Sequence, residues 1–165
     1  MDIFEKCFSF QDAKDAQNRG IYPYFIPIQK SRGTKVVMEG KELIMAGSNN
    51  YLGLSWDPRV KEAAIQAIRD YGTSCSGSRF LNGTLSLHEE LEENLARFVG
   101  RKRALCFSTG YQTNLGAISA LVGKGEHVLT DKLNHASIMD GIFLATGLRG
   151  TIRVHRYLHN SPENL

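Results

Sequence analysis

Ala104-Leu105-Cys106-Phe107-Ser108-Thr109-Gly110-Tyr111 is a short apolar run that turns through a glycine into a helical pattern. Apolar residues without polar alternation predict a strand covered on both faces, here over 104–108. Beyond it Tyr111, Leu115, Ile118, Leu121 and Val122 fall at helical spacing before Gly123, which predicts a helix over 111–122. A strand turning into a helix leaves backbone N–H groups without partners at the helix start. With the helix dipole behind them, those donors make a seat for a phosphate. Ser108 and Thr109 add hydroxyls, and Gly110 lets an anion come close to the main chain. Taken alone, the stretch also reads as an ordinary strand–helix turn.

The next turn bears on the choice. His127-Val128-Leu129-Thr130 predicts a strand over 127–130, Asp131 to Ser137 a turn, and 135–146 a helix, with a further strand over 151–156. Strand–helix alternation of this kind implies right-handed crossovers and a parallel α/β sheet. Ligands of such sheets bind beyond the carboxyl ends of the strands, which here are Ser108–Tyr111 and Asp131–His135. If the strands are neighbours, His135 rises beside the phosphate seat, where its flat ring can stack on a phosphorylated aromatic cofactor. The bland reading of a histidine at a helix start is a cap or a surface residue. His155 and His159 lie four apart in a strand pattern, a spacing that does not converge two imidazoles on one metal, so no metal site is expected.

Upstream, Lys35 to Met45 reads as a hairpin, and Asp57-Pro58 opens a helix that Gly72 closes. Thr73 to Thr84 is a long connection of small polar residues with the single charge Arg79, which favours a working loop. Ser86 and Glu89 form a capping box for a helix whose buried face is Leu87, Leu91, Leu95, Phe98 and Val99. The four glutamates in its first half read as a solvated face. Residues 1–30 are irregular or helical, an arm or a disordered tail. The expected division is 1–56, arm and hairpin, and 57–165, the first part of a larger α/β domain.

Composition excludes several classes. The 165 residues carry a mild net charge of +3 without a basic block, so nucleic-acid binding has no support. The 3 cysteines are too few and too scattered for a disulfide framework or a zinc site. No apolar run is long enough for a transmembrane span and no leader pattern opens the chain, so a cytoplasmic protein is expected. There is no GxxxxGK[ST], and Gly123-Lys124-Gly125 lacks the third glycine of a dinucleotide fingerprint.

Five stretches then occur in order: Asn50-Tyr51-Leu52-Gly53-Leu54, Gly77-Ser78-Arg79-Phe80-Leu81-Asn82-Gly83-Thr84, Ser108-Thr109-Gly110-Tyr111, Asp131-Lys132-Leu133-Asn134-His135-Ala136-Ser137 and His159-Asn160. From about residue 35 to Leu165 the chain closely resembles the α-oxoamine synthases, pyridoxal 5′-phosphate enzymes of fold type I that condense an amino acid with an acyl-CoA. The resemblance implies that Gly110 and Tyr111 hold the cofactor phosphate, largely through backbone N–H groups. It implies that His135 stacks on the pyridine ring and helps place the substrate carboxylate. Asn50 matches an asparagine that reaches into the substrate site of the partner subunit of a homodimer. Ser78 begins a loop that crosses the dimer interface near the acyl chain.

Within the family, Ser-Thr-Gly-Tyr and Ser-Arg-Phe-Leu-Asn-Gly-Thr look most like the branch that joins L-serine to palmitoyl-CoA, giving 3-ketosphinganine for sphingolipid synthesis. An apolar Phe80 suits an acyl chain without a terminal carboxylate, since a charge left unpaired beside a ring is costly. The alternatives are a sibling enzyme, such as 2-amino-3-ketobutyrate CoA ligase or 8-amino-7-oxononanoate synthase, and a non-catalytic partner subunit. The family's cofactor-anchoring lysine, its aspartate against the pyridine nitrogen and its carboxylate-binding arginine lie later in the chain. The resemblance thus implies an N-terminal portion that does not turn over alone. Peripheral membrane contact is left open.

Overall fold

The computed structural model describes residues 2–164, which fall into two compact units, Met1–Ser74 and Cys75–Leu165. In the first unit, two short helices, α1 (Glu5–Ser9) and α2 (Asp12–Asn18), precede an antiparallel meander of β1 (Ile28–Arg32), β2 (Lys35–Met38) and β3 (Lys41–Ile44). The β2–β3 hairpin turns through Glu39 (φ 49°) and Gly40 (φ 75°), both in the left-handed region that matches strand twist. β1 begins inside the stretch expected to be irregular or helical, residues 1–30, and runs past its end to Arg32. Its residues, Ile-Gln-Lys-Ser-Arg, are exposed throughout and carry no apolar face to announce a strand. Helix α3 (Pro58–Tyr71) has the bounds its punctuation implies. Asp57 accepts from the Arg59 N–H at 2.8 Å, and Gly72 ends the helix with φ 77°.

The second unit holds α4 (Ser86–Phe98), α5 (Gly110–Leu121), β4 (His127–Asp131), α6 (Ala136–Arg149) and β5 (Arg153–Tyr157). β4 and β5 pair in parallel, His127 opposite Arg153 and Asp131 opposite Tyr157, with α6 as the crossover. Helix α5 packs on α6. That helix turns one face inward: Ser137, Ile142 and Ala145 are buried, as are Ile152 and Ala96 elsewhere in the unit. Full burial of a side chain such as Ile142 stabilises by about 1.5–3 kcal/mol. No described helix is long and apolar enough to cross a membrane.

Two sequence expectations need correction here. Residues 104–108 are not a strand, because none of them pairs with another strand among the described residues. A strand exists only through its neighbour's hydrogen bonds, and an apolar run cannot supply that neighbour. The second correction concerns α4. Its cap is Leu85, whose N–H donates to His88 Nδ1 at 2.9 Å, in place of the Ser86–Glu89 box. Its apolar stripe stays open as well: Leu91 is 44% and Phe98 88% exposed. Amphipathic spacing names the face that wants cover and says nothing of what covers it.

Candidate functional site

Helix α5 begins where the sequence places the phosphate seat. Thr109, the N-cap, accepts from the Gln112 N–H through its side chain at 3.1 Å and from the Thr113 N–H through its carbonyl at 3.0 Å. That leaves the N–H groups of Gly110 and Tyr111 without an acceptor among the described residues. A Cβ at Gly110 would meet nothing within 4 Å, so the approach to those donors is open. Two free amides at a positive helix end suit an anionic group.

Helix α6 begins with His135 as its N-cap. Its Nδ1 accepts from the Ser137 N–H at 3.2 Å and lies 2.7 Å from Ser137 Oγ. The histidine is therefore a cap, and its ring is exposed beside the chain turn. Two side-chain bridges tie α6 to α5. Asn114 Nδ2 donates to Ser137 Oγ at 2.9 Å, and the Tyr111 hydroxyl donates to the Asp140 carboxylate. That bond pushes the Tyr111 phenol above its ordinary pKa, since ionisation would set two negative charges face to face. All four residues lie in the first or second turn of their helices, so both helix starts occupy the same end of the seam.

The seam closes tightly. A Cβ on Gly141 would sit 3.0 Å from the Asn114 carbonyl oxygen and 3.0 Å from Ile118 Cβ. The turn from β4 into α6 is held by Asp131, which accepts from the Leu133 N–H at 2.7 Å and from His159 Nδ1 at 3.0 Å. The Leu133 amide first, and then His159, lower the Asp131 pKa. His159-Asn160, the last of the five stretches, is thus joined to the turn that precedes His135. His155 stacks on His127, ring centroids 5.0 Å apart, and the described residues hold no cluster of three metal-ligating side chains.

The Ser78–Thr84 stretch is a closed turn. The Ser78 carbonyl accepts from the N–H groups of Leu81, Asn82 and Gly83, at 3.1, 3.2 and 2.8 Å. Ser78 itself is exposed, and Phe80 projects from the turn at 94% exposure. Asn50 belongs to the first unit, where its Oδ1 accepts from the Ser55 N–H at 3.3 Å. In this structure, then, Gly110, Tyr111 and His135 belong to one seam, and Ser78 to a turn within the same unit.

One functional link is absent from the sequence reading. Glu92, on the face whose glutamates read as solvated in the sequence, is largely shielded and pairs with Arg79. Arg79 Nη2 donates to it at 3.2 Å, and the Cys106 N–H donates to Glu92 Oε1 at 2.7 Å. Glu92 thereby fastens the Ser78–Thr84 turn to the segment that leads into Gly110. Arg79 was the one charge in a polar loop, and a lone charge there is the signal that a partner awaits it. The Arg79 guanidinium, and then the Cys106 amide, hold the Glu92 carboxyl down to about 2 from its ordinary 4.5. A lowered carboxyl pKa stabilises the fold above the unfolded-state value and ceases to do so as pH falls toward the folded-state value. We expect the melting-temperature gap between the complete wild-type protein and Glu92→Gln to be flat above about pH 5 and to narrow below about pH 4. A gap unchanged down to the acid limit of folding would show that the ion pair is not responsible.

Comparison with known proteins finds similar sequences and a similar fold. Residues 41–164 match the family described as aminotransferase class I and II. A serine palmitoyltransferase of Bacteroides thetaiotaomicron is 50% identical over 161 residues, which are 98% of this chain and 40% of that protein. An 8-amino-7-oxononanoate synthase of Geobacter sulfurreducens is 45% identical over 154 residues, 93% of this chain and 38% of that protein. Among solved structures, a serine palmitoyltransferase from S. paucimobilis with bound PLP and myriocin superposes with a TM-score of 0.88 at 37% identity, covering 99% of this chain and 41% of that one. The chain therefore spans about two-fifths of the length of the relatives it matches.

Proposed function

The chain belongs to the aminotransferase class I and II family, and from that premise we propose that the complete protein is a pyridoxal 5′-phosphate enzyme. In this reading it condenses L-serine with a long-chain acyl-CoA, palmitoyl-CoA in the first instance, releasing CoA and carbon dioxide and giving 3-ketosphinganine. The observation that carries it is the pair of helix starts at one end of the α5–α6 seam, free amides on one and an exposed imidazole on the other. The serine palmitoyltransferases at 50% identity support the choice of substrates.

The residues present fit the coenzyme. The Gly110 and Tyr111 amides would hold its phosphate, and the His135 ring would lie against its flat face. When bound, the coenzyme supplies an electron sink for bond cleavage at the amino acid's α-carbon. The protein's part here is placement. Tyr111 is kept from swinging into the phosphate seat by its bond to Asp140. His135 presents Nε2, the nitrogen its cap leaves free, toward a substrate carboxylate. Asn50 and the turn that opens with Ser78 would line the substrate side of a homodimer, with Asn50 contributed by the neighbouring subunit.

The test is the complete protein loaded with coenzyme. Serine with palmitoyl-CoA should release free CoA thiol and yield a 3-keto sphingoid base. Thiol release with alanine or glycine but not with serine would assign the protein to a sibling enzyme, and no release with any of them would favour a non-catalytic partner subunit. His135→Ala removes a stacking contact worth about 0.5–1.5 kcal/mol. We expect kcat/KM for serine to fall by more than melting temperature accounts for, and unchanged serine kinetics would remove His135 from the site.

A further inference from the structure

We propose that Ser137, with Asn114 behind it, is a positioning residue that fixes His135 in the tautomer whose proton is on Nε2. The argument is one of hydrogen-bond direction. A backbone N–H can only donate, so the Ser137 amide, 3.2 Å from His135 Nδ1, requires that nitrogen to be an acceptor. The proton of the neutral ring is then on Nε2. Ser137 Oγ lies 2.7 Å from the same Nδ1 and must turn its own hydrogen toward it. With that hydrogen engaged, Oγ has only lone pairs to offer its next neighbour. Asn114 meets it with an N–H donor, Nδ2, at 2.9 Å. Turning the Asn114 amide over would set its oxygen against an Oγ whose hydrogen is already in use. Every group in the series therefore admits one orientation.

Burial makes the arrangement costly to disrupt. Ser137 is 1% exposed, so its hydroxyl has no water to fall back on. Asn114 sits inside α5 and Ser137 in the first turn of α6, so the packing of the two helices sets the ring of His135. Nothing in the coenzyme-holding role of Gly110 and Tyr111 asks for a buried serine here. The consequence for chemistry rests on the proposed function above. An Nε2–H is a hydrogen-bond donor of fixed direction, suited to an anionic oxygen such as an amino acid carboxylate. The opposite tautomer would offer a lone pair to the same oxygen and repel it. The tautomer of a histidine is set by whatever its second nitrogen bonds, and here that partner is protein rather than ligand.

The experiment uses the complete protein with 15N-labelled histidine and long-range 1H–15N correlation spectra, with His135 assigned by its loss in His135→Gln. In the wild type, Nδ1 should resonate as a bare, pyridine-type nitrogen and Nε2 as a protonated one, before any substrate is added. Ser137→Ala keeps the backbone donor at 3.2 Å but loses the closer hydroxyl at 2.7 Å, so it should move both resonances part of the way toward the exchange average of two tautomers; Asn114→Leu should move them less, and Ser137→Thr should restore the wild-type pattern. Serine KM should rise about three- to tenfold in Ser137→Ala, the loss of one hydrogen bond, with kcat less affected. A protonated Nδ1 in the wild type would overturn the proposal, and so would a Ser137→Ala spectrum identical to it. The spectra read the ring whether or not the protein uses serine, so a failure of the substrate assignment leaves this result standing by itself.

Discussion

Gly83→Ala is expected to be the most damaging single-methyl change in the Ser78–Thr84 turn. Gly83 is buried, and a Cβ built on it would overlap the backbone carbonyl of Gly77, a group that cannot swing aside as a flexible side chain would. Relief requires the turn to open, and opening it breaks the 2.8 Å bond from the Gly83 N–H to the Ser78 carbonyl. Overpacking of this kind costs about 1–3 kcal/mol. The larger effect should be on activity. Arg79 lies inside the turn and is joined through Glu92 to Cys106, so a shift there is carried toward the start of α5. A displacement near 1 Å can reduce turnover about a hundredfold. Gly47→Ala is the control, because a Cβ at Gly47 meets nothing within 4 Å and its backbone needs no glycine. Thermal unfolding with acyl-CoA kinetics on the complete protein reads both effects. Equal behaviour of the two variants would mean that the turn is adaptable and that Gly83 is not its pivot.

Gly141→Val should separate α5 from α6. Glycine within a helix is unfavourable by about 1 kcal/mol against alanine, so a glycine kept there for no reason would be an easy site to stabilise. At Gly141 the space is taken: the Asn114 carbonyl and Ile118 Cβ both stand 3.0 Å from the position of an added Cβ. For alanine the helix gain of about 1 kcal/mol offsets about half of a packing loss near 2 kcal/mol, leaving a net cost of about 1 kcal/mol. Valine adds two more methyl groups and a β-branched penalty, and the packing loss then dominates, with about 3 kcal/mol expected. The separation should also lengthen the Asn114–Ser137 bond, so the valine variant should lose coenzyme affinity as well as melting temperature. A Gly141→Val protein as stable as the wild type would show that the helices do not pack as described.

The sequence made some features legible and hid others, for reasons that differ by residue. Helix α3 is readable because its signals are local: Asp57 caps, Pro58 starts and Gly72 stops. The start of α5 is readable in the same way, from Thr109 and Gly110. Residues 104–108 are misread because strand character depends on a partner, and apolar content alone does not provide one. Glu92 is misread because a carboxylate on a helix surface looks solvated until a distant loop delivers Arg79 to it. Ser137 and Asn114 carried weaker cues. A serine two residues beyond a helix-starting histidine is placed to bond it, and an asparagine inside a helix, where its propensity is poor, invites a search for what it holds. The membership of α4's apolar stripe was legible, but not its covering.

The seam between α5 and α6 is held by the protein's own groups: the Asn114–Ser137 and Tyr111–Asp140 bonds and the close fit at Gly141. A small ligand arriving at the helix starts meets groups already tied to one another by those bonds, so little configurational freedom is surrendered when it docks. Capture should therefore leave the helix ends where they already are, with selectivity residing in the donor pattern of the two helix starts.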